Sequence, residues 1–221
     1  MNSDMNRNTI LDNLKTYAKR PRFRMKSRIK VQAGHRPAFN ELFESFSQAI
    51  TAAGGNAIMA ENKEDALKKI GAILKELGIG TVVMSKDRWT RYLGLKGLAK
   101  ASGIEILELK KDREKYKDAC FTAHAGLTGA DYALADTGTI VITHSEDNTR
   151  LLSLAPETHI ALVKKDRLFP DIDTMVADIM RQGASLPSAI SLITGPSLTA
   201  DIALQPTYGM HGPKRVYVVF V

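Results

Sequence analysis

The sequence predicts an α/β fold with a layered, mostly parallel sheet and a hairpin in its second half. Helical periodicity alternates with short apolar runs from Pro37 to Leu109, a pattern typical of βαβ units. Later in the chain only the polar turn Asp136-Thr-Gly138 separates two apolar runs, which favours two strands joined as a hairpin. At 221 residues, the chain fits one α/β domain with an N-terminal extension.

The first half of the chain predicts three helices, each with apolar residues on one face and a glycine near its end. These helices cover residues 39–53, 64–77 and 88–101. Short apolar or alternating runs between and after them predict strands at 57–60, 81–85 and 104–109. This order of elements indicates consecutive parallel crossovers.

The second half contains more short apolar runs. They cover residues 119–125, 132–135, 139–143, 159–163, 189–193 and 216–221. A helix is expected over about 172–182, so that the runs at 159–163 and 189–193 restore the α/β alternation. After Gly195-Pro196, hydroxyl caps at Ser197 and Thr199 predict the start of one further short helix.

The net charge of +7 is concentrated in the first 36 residues, which hold ten Lys and Arg against Asp4 and Asp12. This basic N-terminal arm could dock on an acidic protein surface, a membrane face or nucleic acid, or remain a solvated tail. Nucleic acid is not expected as its partner, because the arm lacks interleaved aromatic residues beyond Phe23 and any recognised motif.

The chain offers little with which to hold a metal ion or a redox group. Its single cysteine, Cys120, excludes an internal disulfide and any zinc or iron–sulfur site built from its own thiolates. The five histidines show no metal-ligand spacing, and no nucleotide-binding or serine-hydrolase motif occurs. We therefore expect no cofactor in this chain. No membrane-spanning run and no secretory signal are present, which predicts a cytoplasmic protein.

Two polar segments of the second half could bind a ligand. Asp136-Thr137-Gly138-Thr139 places a carboxylate and two hydroxyls on a turn where the glycine allows close backbone approach. The same residues could also form an ordinary hairpin turn. Asn148-Thr-Arg150 lies in the polar loop that follows, where Arg150 could clamp a carboxylate or phosphate, or simply be a surface arginine.

Two later turns add further candidates. The backbone N–H groups of Gly195, Ser197, Thr199 and Ala200, at a helix start, would bind an anion, although Asp201 in the first helical turn opposes one. His211, whose backbone is fixed by Gly212-Pro213, is a candidate proton donor. We expect these turns to converge on one edge of the sheet in one cleft that binds a small anion, with Asp136, Asp201 and His211 as candidate catalytic groups.

Five of these motifs occur in a characteristic order. They are Ala-Asp-Thr-Gly-Thr (135–139), Asn-Thr-Arg (148–150), Leu-Ala-Pro-x-Thr-His-Ile (154–160), Gly-Pro-Ser-x-Thr-Ala-Asp-Ile (195–202) and His-Gly-Pro (211–213). In this order they resemble the LUD domain family, and more narrowly its lactate utilization protein C members. The resemblance covers roughly residues 40–221, so we divide the chain into a basic arm (1–36) and a LUD domain (37–221).

The resemblance implies a fold of the NagB, ribose-phosphate isomerase and CoA-transferase type. It also implies a role in bacterial oxidation of L-lactate to pyruvate, alongside iron–sulfur and Cys-rich partner subunits. In that family the first motif more usually begins with Glu, whereas this chain has Asp136, one methylene shorter.

Two functions remain open from the sequence. The first is an accessory, non-redox subunit of a lactate-oxidising complex. The second is a free-standing enzyme acting on a sugar phosphate or acyl thioester, with Asp136 or Asp201 as general base or nucleophile.

Overall fold

A sheet of six parallel strands occupies the centre of the computed structural model, which describes residues 37–107, 113–181, 189–200 and 206–221. In chain order its strands are β1 (Asn56–Met59), β2 (Thr81–Met84), β3 (Glu105–Leu107), β4 (Ala125–Gly129), β7 (Thr158–Val163) and β12 (Arg215–Phe220). Their spatial order is β1-β12-β7-β4-β2-β3, so β12 lies between β1 and β7. The predicted parallel, layered α/β architecture is confirmed.

The helices precede the first strand or lie between strands in the chain. They are α1 (Phe39–Ala52), α2 (Lys63–Glu76), α3 (Arg88–Leu93), α4 (Lys96–Ser102), α5 (Arg113–Thr122), α6 (Leu151–Leu154) and α7 (Ile172–Arg181). The single helix predicted over 88–101 is wrong: it is divided into α3 and α4, because Gly94 takes a left-handed conformation with φ +68° and ends α3. The apolar run 119–125 is likewise divided between the end of α5 and the start of β4.

A second, smaller sheet has the spatial order β8-β5-β6-β9. Its strands are β5 (Tyr132–Leu134), β6 (Thr139–Thr143), β8 (Leu168–Phe169) and β9 (Ile190–Ile193). The predicted hairpin is confirmed, because β5 and β6 pair antiparallel across the turn that contains Gly138. The run at 189–193 does not restore the parallel alternation, since β9 pairs antiparallel with β6 in this second sheet.

The helix predicted to start at Ser197–Ala200 is also wrong. Leu198–Ala200 forms strand β10, which pairs antiparallel with β11 (Pro206–Tyr208). Extended backbone suits Thr199 and the Thr207 opposite it, because β-branched side chains favour a pleated surface. The ordinary hydroxyl-cap signal is overridden by this pairing. Asp201 lies outside the described residues.

The core has one part on each face of the parallel sheet. On one face, α1 and the second sheet bury Phe46, Ile50, Ile140 and Val218, and the Phe46 and Phe220 rings meet edge to face with centroids 5.0 Å apart. On the other face, α2 to α4 cover a second cluster that includes Ile70, Leu74, Leu127 and Ile160. Among the described residues no helix is long and apolar enough to cross a membrane.

Candidate functional site

The predicted turn at 136–139 lies beside the predicted turn at 195–196. The Thr139 hydroxyl is 2.9 Å from the hydroxyl oxygens of both Thr137 and Thr194, and the Thr137 hydroxyl donates to Asp136 at 3.1 Å. These turns adjoin the C-terminal end of α1, near the point where the chain enters β1. They therefore lie at the amino edge of the parallel sheet, the side on which its strands begin.

The glycines of these turns allow α1 to approach closely. A Cβ added at Gly138, whose φ is +63°, would lie 2.3 Å from the backbone nitrogen of Ile50. A Cβ at Gly195 would lie 2.8 Å from the carbonyl oxygen of Ala53. The close approach that the sequence suggested for a ligand is made instead by the last turn of this helix.

Ser197, His211 and Gly212 also meet at the amino edge, immediately before β12. The Ser197 N–H donates to the Pro213 carbonyl at 2.9 Å, and the His211 N–H donates to the Ser197 hydroxyl at 3.3 Å. Because the Ser197 N–H is already engaged, it is not a free donor for an anion. The groove beside His211 measures about 290 Å³ and is lined by exposed apolar side chains such as Phe121 and Met210.

Asn148 lies at the opposite, carboxyl edge of the parallel sheet. Its side chain is 5% exposed and donates from Nδ2 to the carbonyl of Gly129, the last residue of β4. Arg150 is exposed and immediately precedes α6. The structure thus divides the predicted residues. Those at 136–139, 195–197 and 211–212 lie at the amino edge of the sheet, whereas Asn148 lies at the carboxyl edge.

A small cavity of about 80 Å³ lies beside Asn148, at the ends of β2 and β4 and beside the second sheet. Six of its lining residues are Asp87, Arg88, Trp89, Gly129, Asp131 and Asn148. The carboxyl edge is where open α/β sheets commonly bind ligands. We call this cavity the carboxyl-edge cavity.

Asp87 holds one wall of the carboxyl-edge cavity in place. Its Oδ1 accepts the N–H groups of Trp89 (2.7 Å) and Thr90 (3.1 Å), which caps α3. Its Oδ2 accepts the Gly129 N–H at 2.9 Å and the Ser85 hydroxyl at 2.5 Å. Four donors thus satisfy this carboxylate, and they join β2, α3 and β4 at one point.

Another part of the lining is a turn that fixes Asn148. The backbone N–H and C=O of Asn148 both bond to Ser145 at 3.2 Å, and His144 Nδ1 lies 3.2 Å from the same Asn148 carbonyl oxygen. His144 Nε2 in turn lies 2.7 Å from the hydroxyl of Ser191 on β9. Burial lowers the pKa of His144, and the nearby positive charge of Arg150 acts in the same direction. A neutral imidazole suits this arrangement, donating from Nδ1 and accepting at Nε2.

Two buried polar atoms of the lining residues lack a partner. Neither Asn148 Oδ1 nor Trp89 Nε1 has a hydrogen-bond partner in the described part of the chain. The amide orientation of Asn148 is fixed because its NH₂ group faces the Gly129 carbonyl, so Oδ1 is the atom that remains unpaired. An unpaired buried polar atom costs about 1–3 kcal/mol, and neither of these two atoms has surface that water can reach.

A larger cavity of about 510 Å³ lies at the ends of β2 and β3. Its cationic lining residues are Lys86, Arg91 and Lys96, and Arg91 pairs with Asp147 at 3.3 Å. The unpaired buried atoms Asn148 Oδ1 and Trp89 Nε1 do not belong to its lining residues. Its volume exceeds that of the carboxyl-edge cavity.

Cys120 is fully buried, and burial raises the pKa of its thiol. A buried neutral thiol is a poor nucleophile and a poor metal ligand. Among residues 37–107, 113–181, 189–200 and 206–221, no group of three or more His, Cys, Asp or Glu side chains could hold a metal ion.

Known proteins resemble most of this chain. The model of the LUD domain matches residues 43–221. "Lactate utilization protein C" of Anoxybacillus flavithermus is 28% identical over 207 residues, which cover 93% of this chain and 91% of that protein. "Lactate utilization protein C" of Bacillus subtilis is 37% identical over 152 residues, or 64% of this chain and 62% of that protein.

A solved structure, that of a DUF162 family protein from Deinococcus radiodurans, superposes with a TM-score of 0.57. The two chains are 23% identical, and the match covers 84% of this chain and 99% of the other. This likeness concerns the fold.

Proposed function

The chain belongs to the LUD domain family, and from this premise we propose that it serves lactate utilization as an accessory subunit that carries no redox group itself. The observation that carries the proposal is similarity over almost the whole length of relatives named lactate utilization protein C, two of which this chain covers to 91% and 88%. Similarity of that extent supports a shared role as well as a shared fold.

The proposal assigns electron transfer to partners. Cys120 is the chain's one cysteine and its thiol is buried, so thiolate-held clusters would have to belong to other subunits. We therefore propose iron–sulfur and Cys-rich subunits of a lactate-oxidising complex as the partners, in the cytoplasm. This chain would bring no cofactor of its own and would bind a small organic anion.

Co-purification tests this proposal. The full chain would be tagged and isolated without oxygen from a bacterial host grown on L-lactate, together with any bound proteins. We expect cluster-bearing partners, seen as iron in the eluate and as Cys-rich chains by mass spectrometry. A chain lacking residues 1–30 is the matched variant that asks whether the basic arm contributes to capture.

Two results would contradict the proposal. A chain that purifies alone and turns over a sugar phosphate or an acyl thioester would support a free-standing enzyme. Stoichiometric flavin, iron or zinc bound to the isolated chain would contradict an accessory subunit without a redox group.

A further inference from the structure

The cavity of about 510 Å³ at the carboxyl ends of β2 and β3 combines apolar and cationic lining residues; we call it the β2–β3 cavity. Met84 ends β2, and Ile106 and Leu107 end β3. These three lining residues are only half-buried, so solvent reaches part of their surface. The volume lies in the range of about 300–1,000 Å³ that is typical of small-molecule sites. The cavity is therefore large enough, and open enough, to take a small organic ligand.

The cationic lining residues come from three different segments. Lys86 follows β2, Arg91 lies in α3, and Lys96 is the first residue of α4. All three are exposed, and the described residues that line the cavity include no carboxylate. This concentration of positive charge is local, because residues 37–221 hold 21 Lys and Arg against 22 Asp and Glu. Three cations around one opening favour a ligand with more than one negative charge.

One acidic residue outside the lining, Asp147, contacts this group of cations. Its Oδ2 lies 3.3 Å from Nη2 of Arg91, and the side chains of Arg91 and Asp147 are 66% and 56% exposed. An exposed ion pair of this kind is weak because water screens it, so a bound anion can replace Asp147 at little cost. The guanidinium of Arg91 can then bind a phosphate group through two parallel hydrogen bonds, while the lysines contribute as point charges.

The apolar lining residues indicate the rest of the ligand. They are four side chains without a ring, Met84, Leu95, Ile106 and Leu107. A nucleobase commonly binds by stacking on an aromatic ring, and the described lining residues include none. An alkyl chain, in contrast, is stabilised by burial against such side chains. Inorganic phosphate alone would leave this apolar surface in water.

We propose that the β2–β3 cavity binds a phosphate monoester with a short alkyl body. Its phosphate lies on the three cations, and its alkyl chain lies on the apolar side chains at the ends of β2 and β3. The inference goes beyond the proposed role in lactate utilization, because it adds a second class of ligand at a different site. A soluble ester and the headgroup of a phospholipid share this chemistry, and the experiment distinguishes them.

Isothermal titration calorimetry on the purified full chain tests the cavity with hexyl phosphate, inorganic phosphate, hexanoate and hexanol. We expect saturable binding of hexyl phosphate at least about tenfold tighter than that of inorganic phosphate, because only the ester buries an alkyl chain. Hexanoate carries one charge and should also bind at least about tenfold more weakly than the ester. Equal affinity for the ester and either inorganic phosphate, hexanoate or hexanol would overturn the inference, and so would no binding of the ester.

Variants assign the binding to the cavity and separate it from attraction to the basic arm. Lys96→Gln should weaken binding of hexyl phosphate by about tenfold. The matched control is Lys100→Gln, an exposed position of the same helix α4 that is not among the lining residues, and it should change affinity less than about twofold. Equal losses in the two variants would show general charge attraction and would overturn the inference.

A third variant tests the apolar part of the cavity. Met84→Gln keeps a side chain of similar length but makes it polar, so affinity for hexyl phosphate should fall towards that for inorganic phosphate, which should itself stay unchanged. Thermal unfolding checks that the variant folds. Lys96 is exposed, so Lys96→Gln tests the cavity even where Met84→Gln does not fold. Unchanged affinity for the ester in a folded Met84→Gln chain would contradict the proposed position of the alkyl body.

Vesicles distinguish the two sources of the phosphate ester. The full chain is sedimented with phosphatidylcholine vesicles that contain or lack phosphatidic acid, with and without saturating hexyl phosphate. Release of the bound chain by hexyl phosphate would uphold the cavity and assign a phospholipid as its ligand. Vesicle binding that hexyl phosphate leaves unchanged, or no vesicle binding, would uphold the cavity as a site for a soluble ester, provided that calorimetry shows the ester to bind.

Discussion

The two edges of the parallel sheet use polar residues and glycines in different ways. At the amino edge, the predicted turns pack on α1 through their glycines. Their threonine hydroxyls hydrogen-bond to one another. At the carboxyl edge, Asp87 joins β2, α3 and β4 through four hydrogen bonds and Asn148 is held by its turn beside a small cavity. The comparison teaches that a motif rich in glycine marks close packing as readily as it marks a ligand, whereas a single carboxylate can tie several elements together.

The largest effect is expected from closing the space at Gly138. Gly138→Ala should lower the free energy of unfolding by about 3–5 kcal/mol, combining left-handed strain with overlap against the Ile50 backbone. Gly78→Ala is the matched control, because Gly78 has the same φ of +63° but nothing within 4 Å, and it should cost only about 1–2 kcal/mol. Urea denaturation measures the free energy of unfolding of both variants. Equal losses would show that α1 shifts to admit the methyl group and that the amino edge is not tightly packed.

Lowering the pH should destabilise the fold mainly through one buried histidine at the amino edge. His159, near the start of β7, is fully buried, and burial lowers its pKa from 6.5 to about 4. Between these values the unfolded chain binds a proton that the folded chain does not, so stability falls by about 3 kcal/mol as pH drops from 6.5 to 4.

Chemical denaturation across this pH range, with His159→Gln and with the exposed His211→Gln as control, checks the prediction. His159→Gln should flatten most of the acid loss, since Gln does not titrate, and His144 should account for a smaller remainder in the same direction. An unchanged slope in His159→Gln would place the acid sensitivity elsewhere.

The stability of the carboxyl edge should depend on the Asp87 carboxylate and much less on that of Asp147. Asp87→Ala removes the acceptor for four donors and should cost about 2 kcal/mol, with a change in Trp89 fluorescence. Asp147→Ala breaks only the exposed pair with Arg91 and should cost less than about 1 kcal/mol. Thermal unfolding of both variants measures this difference, and a costlier Asp147→Ala would reverse our view of which residue holds the edge.

The smallest effect is expected from Ser197→Ala at the amino edge. The substitution removes one 3.3 Å bond to the His211 N–H, so stability should change by no more than about 0.5 kcal/mol. Thermal unfolding measures this change. A loss above about 1 kcal/mol would show that this one contact holds the amino edge together.

Periodicity predicted most of the fold because it is a local property. The bounds of α1 and α2 lie within one residue of those expected, and the hairpin around Gly138 was evident from its short polar link. The sequence misled at Ser197–Ala200 because hydroxyl residues suit both a helix cap and a strand, and pairing with Thr207 and Tyr208 decided between them. Such pairing is not visible in a local pattern.

The candidate cavity was only partly predictable for the same reason. Asn148 was selected from its loop, but Asp87, Trp89 and Gly129 were missed, since they meet only when β2 and β4 become neighbours. One local signal was present: Asp87 follows a buried strand and directly precedes a helix, which is the position of a capping residue. The proposed catalytic and binding roles of Asp136, Asp201 and His211 stay predictions.

The position of β12 between β1 and β7 bears on how this protein is made. Within the described residues β1 pairs only with β12, and about 150 residues of chain separate the two strands. At a synthesis rate of about 5–20 residues per second, roughly 10–30 s pass between the synthesis of β1 and that of β12. An unpaired strand of this kind is open to association with other chains. The nascent protein thus has a period of exposure during which a chaperone would act.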